Sequence, residues 1–297
     1  MNTVQPLIEQ DWEAFRPGKV TPVRHRLSSH PLLQFDQLLK LGERRHAEGQ
    51  LHEVKRGVTA GTPFEWHRGA VETLRRMHSE GGWTILRFIQ HDPVYRELVD
   101  AVLDSIKPYV ERKDPGMYGR AGFIFVSAQN VVTPFHMDPE QNFLLQIQGR
   151  KRAYVWDPDD EEVVSAAARD RFHHDGNRDL MPWHEEFRQR AHVFDLEPGQ
   201  GVYMPMTSPH MTETGGELSI TMSMTYYTRA TRRISMQHKL RYLCARRAHI
   251  ILPEVGKHPV LDRMSRAALE SITATRRVGQ QIVRRKDIDP TPPYAQD

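Results

Sequence analysis

At 297 residues with 38% hydrophobic residues, the chain is long enough to bury one sizeable core with helical additions, and its net charge of +3 argues against a dedicated nucleic-acid binder. A single cysteine, Cys244, excludes internal disulfides and a cysteine-based zinc site, and its setting in YLCARR fits a helix core position. No apolar run approaches the roughly 18 residues of a membrane span, and the opening MNTVQPLIEQDWEAF lacks the pattern of a secretory signal, so the cytoplasm is the expected location.

In chain order, Phe35, Leu38 and Leu39 fall at helical spacing, as do Val71, Leu74 and Met77. Trp83 to Phe88 reads as a strand extending a major sheet. Asp92-Pro93 then caps a helix whose Val94, Leu98, Val102 and Ile106 form one apolar stripe. Short apolar runs follow at Phe123 to Val126 and Val131-Val132. Asn142 to Ile147 predicts a strand, Gly149 to Arg152 a tight turn and Ala153 to Trp156 a second strand, which together read as a hairpin. A Pro198-Gly199 turn precedes Val202 to Pro205, and short strands at intervals of about ten residues indicate a sandwich or barrel.

Between these strands, residues 157–195 are rich in charge and form an insert that can overhang the barrel mouth. His173-His174-Asp175 within it reads as a solvated surface cluster, because adjacent histidines diverge on a strand or a helix and chelate poorly. Near the end of the barrel, Ser219, Thr221, Ser223 and Thr225 alternate with Ile220, Met222 and Met224, putting four hydroxyls on one strand face. That face is expected to line a pocket, although an exposed sheet face gives the same pattern.

Past Tyr227 the chain turns basic: Arg229, Arg232, Arg233, Lys239, Arg241, Arg246 and Arg247 occur without one acid among them. Leu240 and Leu243, then Leu261, Met264, Ala268 and Ile272, make apolar stripes on two expected helices separated by Pro253 and Pro259. The tail beyond Arg285 has the composition of a disordered segment.

The chemistry lies in His136-Met137-Asp138 and the distant Pro209-His210. Side chains two apart on a strand point to one face, so an H-x-D at a strand end aims both donors at one point, while His210 must arrive from another strand. Two imidazoles and one carboxylate leave open positions on an octahedral ion, the arrangement that non-heme Fe(II) oxygenases require. The chain holds 16 histidines, so the H-x-D pair alone decides nothing.

Three segments in order, TPFHMDPEQNFLLQIQGRKR, YMPMTSPHMTET and LSITMSMTYY, resemble the cupin-like, Jumonji-C type Fe(II)/2-oxoglutarate dioxygenases, and within them the asparaginyl hydroxylase branch. The resemblance runs from Phe123 to Tyr227. It implies a mainly β fold, a double-stranded β-helix core (116–230, with the insert 157–195) on an N-terminal α/β support (1–115), followed by C-terminal helices (231–285) that form a homodimer and a tail (286–297). It further implies that His136, Asp138 and His210 hold Fe(II), that Lys151 grips the distal carboxylate of 2-oxoglutarate, and that Thr133 and Asn142 are co-substrate contacts. The implied reaction is hydroxylation by O₂ with decarboxylation of 2-oxoglutarate to succinate, on a protein side chain or a small metabolite.

Two departures stand out. Met137 occupies a position often polar in the family, and where a core-strand asparagine is often found the chain offers Ser223, Met224 and Thr225 in an open register; Ser223 is taken as the co-substrate contact. Independently of the resemblance, polar Asn142 and Gln146 share a strand face with Leu144, as a pocket wall would. A dicarboxylate held in a pocket needs a cation at its far end, which Lys151 supplies, with Arg150 and Arg152 as the alternatives and a solvated turn as the plainer role for Lys151. The competing functions are a metal-cupin enzyme without co-substrate, leaving Lys151 and Asn142 without a role, and a non-catalytic cupin-fold binding protein.

Overall fold

A computed structural model describes residues 5–54, 58–63, 67–77, 82–258 and 263. The N-terminal part supplies β1 (Ile8–Glu9), β2 (Thr21–His25), α1 (Phe35–Ala47), β3 (Leu51–Val54), β4 (His67–Arg68), α2 (Val71–Arg75), β5 (Trp83–Leu86) and α3 (Pro93–Lys113). The barrel strands are β6 (Tyr118–Ser127), β7 (Val132–His136), β8 (Gln141–Gln148), β9 (Lys151–Val155), β10 (His192–Leu196), β11 (Gln200–Met204), β12 (His210–Thr214) and β13 (Ser219–Tyr227). Two further helices are α4 (Ala166–Asp175) and α5 (Arg229–Leu243).

These strands build a nine-stranded sheet, β1-β2-β11-β8-β13-β6-β5-β3-β4, and a four-stranded sheet, β10-β9-β12-β7. From β6 onward the chain passes between the sheets at almost every turn, which is the jelly-roll winding of a cupin core. The expected hairpin is therefore absent: β8 pairs with β11 and β13, β9 with β10 and β12, and the turn at Gly149-Arg150 carries the chain from one sheet to the other. Gly149 has φ +69, and a Cβ there would lie 2.2 Å from the carbonyl oxygen of Leu218, so only glycine makes this crossing.

Alternation sorts each strand between two interiors. Ile220, Met222, Met224 and Tyr226 of β13, with Phe143, Leu145 and Ile147 of β8, pack into the large core beneath α1 and α3. Leu144 instead joins Ala153, Val155, Leu196, Val202 and Met204 between the two sheets. Ser219, Thr221, Ser223 and Thr225 are all buried, so the hydroxyl face of β13 is not an exposed sheet surface.

Asp92 caps α3 as expected, accepting from the amides of Val94 and Tyr95. Its packed stripe runs from Tyr95 through Leu98, Val99, Val102 and Ile106 to Val110, whereas Val94, assigned to the stripe from sequence, is 51% exposed on its margin. Trp83 to Leu86 forms the expected extension of the large sheet.

The chain divides into two compact units, residues 1–163 with 182–228, and 164–181 with 229–297. The second contains α4, capped by Ser165 and ended by Gly176 at φ +73. In α5 the buried positions are Thr231 and His238; Leu240, expected in the apolar stripe, is exposed, and Leu243 and Cys244 are half-buried. Leu261, Met264, Ala268, Ile272 and the tail lie outside the described residues.

Candidate metal centre

Strands β7 and β12 are antiparallel neighbours in the small sheet, and their register places His136 directly opposite His210. Two residues further along β12, Thr212 faces Thr133, so Pro134 and Phe135 together oppose Met211 alone: a β-bulge. Proline has no amide hydrogen for the ladder, and the Phe135 amide donates to the carbonyl of Ala60 instead, which accounts for the bulge at this point. By simple alternation Thr133, three residues before His136, would point away from the metal face; the bulge restores it.

Nearby backbone carbonyls orient the imidazoles. His136 Nδ1 lies 2.7 Å from the carbonyl oxygen of Pro134 and His210 Nδ1 3.0 Å from that of Ser208, so each ring donates its Nδ1–H to backbone and keeps a lone pair at Nε2. Both Nε2 atoms face Asp138, whose Oδ2 is 3.8 Å from His136 and 3.5 Å from His210. One ligand atom from each of the three residues lies within 4.8 Å of the others, and among the described residues this is the one such group of three found. Two imidazoles oriented by backbone carbonyls beside a carboxylate match the donor set of a divalent transition metal.

The two loops bearing the ligands are joined through backbone: the amide of Thr207 donates to the carbonyl of Asp138 at 2.7 Å, with Thr207 held at φ +60. A non-glycine residue in the left-handed region costs on the order of 1 kcal/mol or more and persists where its surroundings require it. Nothing in the sequence marked Thr207.

Lys151 stands opposite Thr214, on the same face of β9 as Ala153 and as Val155, the partner of His210. It is 4% exposed, with its ammonium 5.9 Å above the ring of Phe125 and no carboxylate bonded to it among the described residues. Burial lowers its pKa from 10.5 to about 7. The alternatives are spoken for: exposed Arg150 pairs with Glu197 and exposed Arg152 with Asp195. Lys151 is thus not a solvated turn residue.

From the large sheet, Asn142 and Gln146 enter the space between the sheets on either side of Leu144, as the alternation predicts, but they differ. Gln146 is satisfied, accepting from Thr221 and donating to Ser219, Gln148 and Gly149, and so has a structural role. Asn142 Oδ1 is buried without a hydrogen-bond partner. Ser223 lies opposite Leu144 and Thr225 opposite Asn142 on the same inner face, while Met224 points into the other core and drops out as a co-substrate contact.

The second unit corrects the reading of His173 as solvated. It is buried against the ring of His238 (centroids 4.7 Å, planes 12° apart), and His238 bonds Asp170 at 2.7 Å. Asp170 also receives Arg241.

Residues 83–232 match the family profile of the cupin-like domain. The chain belongs to the cupin-like domain family. A curated relative, the HSPB1-associated protein 1 homolog of Danio rerio, is 29% identical over 117 residues, covering 37% of this chain and 26% of that protein, so the match spans about a quarter of the relative's length. Among solved structures, Escherichia coli YcfD superposes with a TM-score of 0.53 at 17% identity, over 98% of this chain and 77% of that one. A second structure, described as the ribosomal oxygenase YcfD in complex with cobalt and 2-oxoglutarate, gives 0.51 at 16% identity, over 96% and 75%. At such identities the likeness shows the cupin fold alone.

Proposed function

We propose that this cupin-like chain is an Fe(II)- and 2-oxoglutarate-dependent oxygenase that hydroxylates a protein side chain or a small metabolite. The observation that carries the reading is the convergence of His136, Asp138 and His210 on the sheet face that also buries an unpaired lysine. A metal site alone would have no use for a desolvated ammonium. The fold's likeness to a protein solved with cobalt and 2-oxoglutarate agrees with it.

In this reading His136 Nε2, His210 Nε2 and an oxygen of Asp138 hold the iron, and Lys151 binds the far carboxylate of 2-oxoglutarate. Lys151 sits four residues, about 13 Å of strand, from the position opposite His210, and its side chain closes part of that distance. Asn142 through its carboxamide N–H, and the hydroxyls of Ser223 and Thr133, are proposed as further hydrogen-bond donors to the co-substrate. Bound ferrous ion supplies the redox step by which O₂, 2-oxoglutarate and substrate R–H become R–OH, succinate and CO₂. The protein's own part is orientation and exclusion of water: Phe125, Leu144, Ala153, Val155 and Val202 give the space between the sheets an apolar lining around few polar groups. We further propose a cytoplasmic homodimer joined through residues 231–285.

The decisive experiment is calorimetry of 2-oxoglutarate on Co(II)-loaded protein, coupled to a screen for substrate-dependent succinate formation. Wild type binds both; His136→Ala, Asp138→Ala and His210→Ala lose the metal; Lys151→Ala keeps the metal and loses roughly 2–5 kcal/mol of 2-oxoglutarate affinity. Metal binding without 2-oxoglutarate binding would point to a cupin enzyme that uses no co-substrate.

A further inference from the structure

Gln141 belongs to no ligand set, yet its side chain spans the two halves of the metal centre. It is 3% exposed at the start of β8, just past Asp138. Its Oε1 accepts the amide of Met206 at 2.9 Å, and its Nε2 donates to Asp114 Oδ2 at 3.2 Å. Met206 precedes Thr207, whose amide is bonded to the carbonyl of Asp138. Two consecutive amides of the loop before His210 are therefore fastened to the segment after His136, one to backbone and one to the Gln141 carboxamide. The next residue in that loop, Ser208, provides the carbonyl that orients His210. Asp114, buried at the C-terminal cap of α3, fixes the other end of the carboxamide and so decides which of its atoms faces Met206.

We propose that Gln141 is a positioning residue of the metal centre: it holds the loop 205–209 against the segment 138–141 and thereby sets the separation of His210 from His136 and Asp138. An apolar residue there leaves the Met206 amide buried without a partner, and the left-handed Thr207 loses a support. The effect reaches the metal through the Ser208 carbonyl and the His210 ring. This inference rests on the metal reading of the triad.

The test compares Co(II) affinity and the visible Co(II) spectrum with the melting temperature of the metal-free protein, for wild type, Gln141→Leu and Gln146→Leu. Gln146 is as deeply buried and as fully bonded, but bonds to neither ligand loop. Gln141→Leu is expected to weaken Co(II) about 10- to 100-fold, the range for outer groups that orient metal ligands, and to shift the spectrum. Gln146→Leu is expected to lower the melting temperature with affinity and spectrum unchanged. Gln141→Glu serves if the leucine variants do not fold. Its carboxyl, when protonated, can both donate to Asp114 and accept from Met206, so its affinity relative to wild type should recover between about pH 8 and about pH 6. Equal Co(II) affinity and spectrum in wild type and Gln141→Leu, or in the fallback no pH-dependent recovery by Gln141→Glu, overturns the inference while leaving the metal centre intact. No Co(II) binding by wild type overturns both.

Discussion

Lys151 and Thr214 are cross-strand partners on the inner face of the four-stranded sheet, and this register carries an ammonium indoors to an aromatic ring with no carboxylate bonded to it among the described residues. With its pKa lowered to about 7 by burial, the lysine is protonated in the unfolded chain below pH 10.5 but gives up its proton in the folded one above 7. Its presence therefore weakens the free fold progressively as pH falls from 10.5 to 7, by a few kcal/mol at roughly 1.4 kcal/mol per pH unit. Lys151→Met should raise the melting temperature of the co-substrate-free protein while weakening 2-oxoglutarate binding by roughly 2–5 kcal/mol. Thermal denaturation and calorimetry on the same sample check it; a less stable variant, or one that binds as tightly as wild type, refutes it.

Binding of 2-oxoglutarate should be linked to a proton. At and below pH 7 the lysine is ready to meet the dianion; above pH 7 it must first take up a proton. Affinity is expected to be fullest near pH 7 and to fall by up to about tenfold per pH unit above it. Calorimetry near pH 8 in buffers of different ionisation enthalpy should register close to one proton absorbed, and a value near zero would exclude Lys151 as the partner.

Acid should loosen the fold through buried neutral histidines. His25 lies 2.9 Å by Nε2 from the Gln146 carbonyl and accepts the Leu27 amide at Nδ1, and burial lowers its pKa; burial likewise lowers those of His173 and His238. Each contributes stability that is complete above 6.5 and is lost as pH falls below it, because only the unfolded chain accepts the proton freely. Denaturant midpoints should drop between about pH 6.5 and pH 5, by at most about 1.4 kcal/mol per group per pH unit. His25→Asn should flatten part of that slope.

Dimerisation through residues 231–285 would give exposed Leu240 a cover. Deleting the chain after Thr228 should convert a dimer to a monomer in light scattering. A full-length protein that is already monomeric at micromolar concentration refutes this without touching the metal centre.

The convergence of His136 and Asp138 was legible because H-x-D needs only local geometry, and β13 because its alternation is unbroken over Ser219 to Tyr226. Lys151 was legible through the resemblance and through polar Asn142 among apolar neighbours. Three things were hidden. A glycine turn between two strands reads alike whether they pair or change sheets, so β8 and β9 looked like a hairpin. The burial of His173 depends on Asp170 and His238, and His238 is remote in sequence. The face of Thr133 depends on a bulge whose local sign, Pro134, is also compatible with a plain edge strand.

The crossing at Gly149 has a kinetic side. Leu145 finds its hydrogen-bonded partner at Gly201, beyond the whole insert, and His136 finds His210 later still. Loop closure must come before these contacts can stabilise anything, so folding should be slow for the chain's size. A nascent or truncated chain lacking β12 carries only two of the three candidate ligands. If the triad holds metal as proposed, the ion can enter only once the last strands have closed the barrel, and its supply should change the lifetime of the finished protein rather than the rate at which it forms.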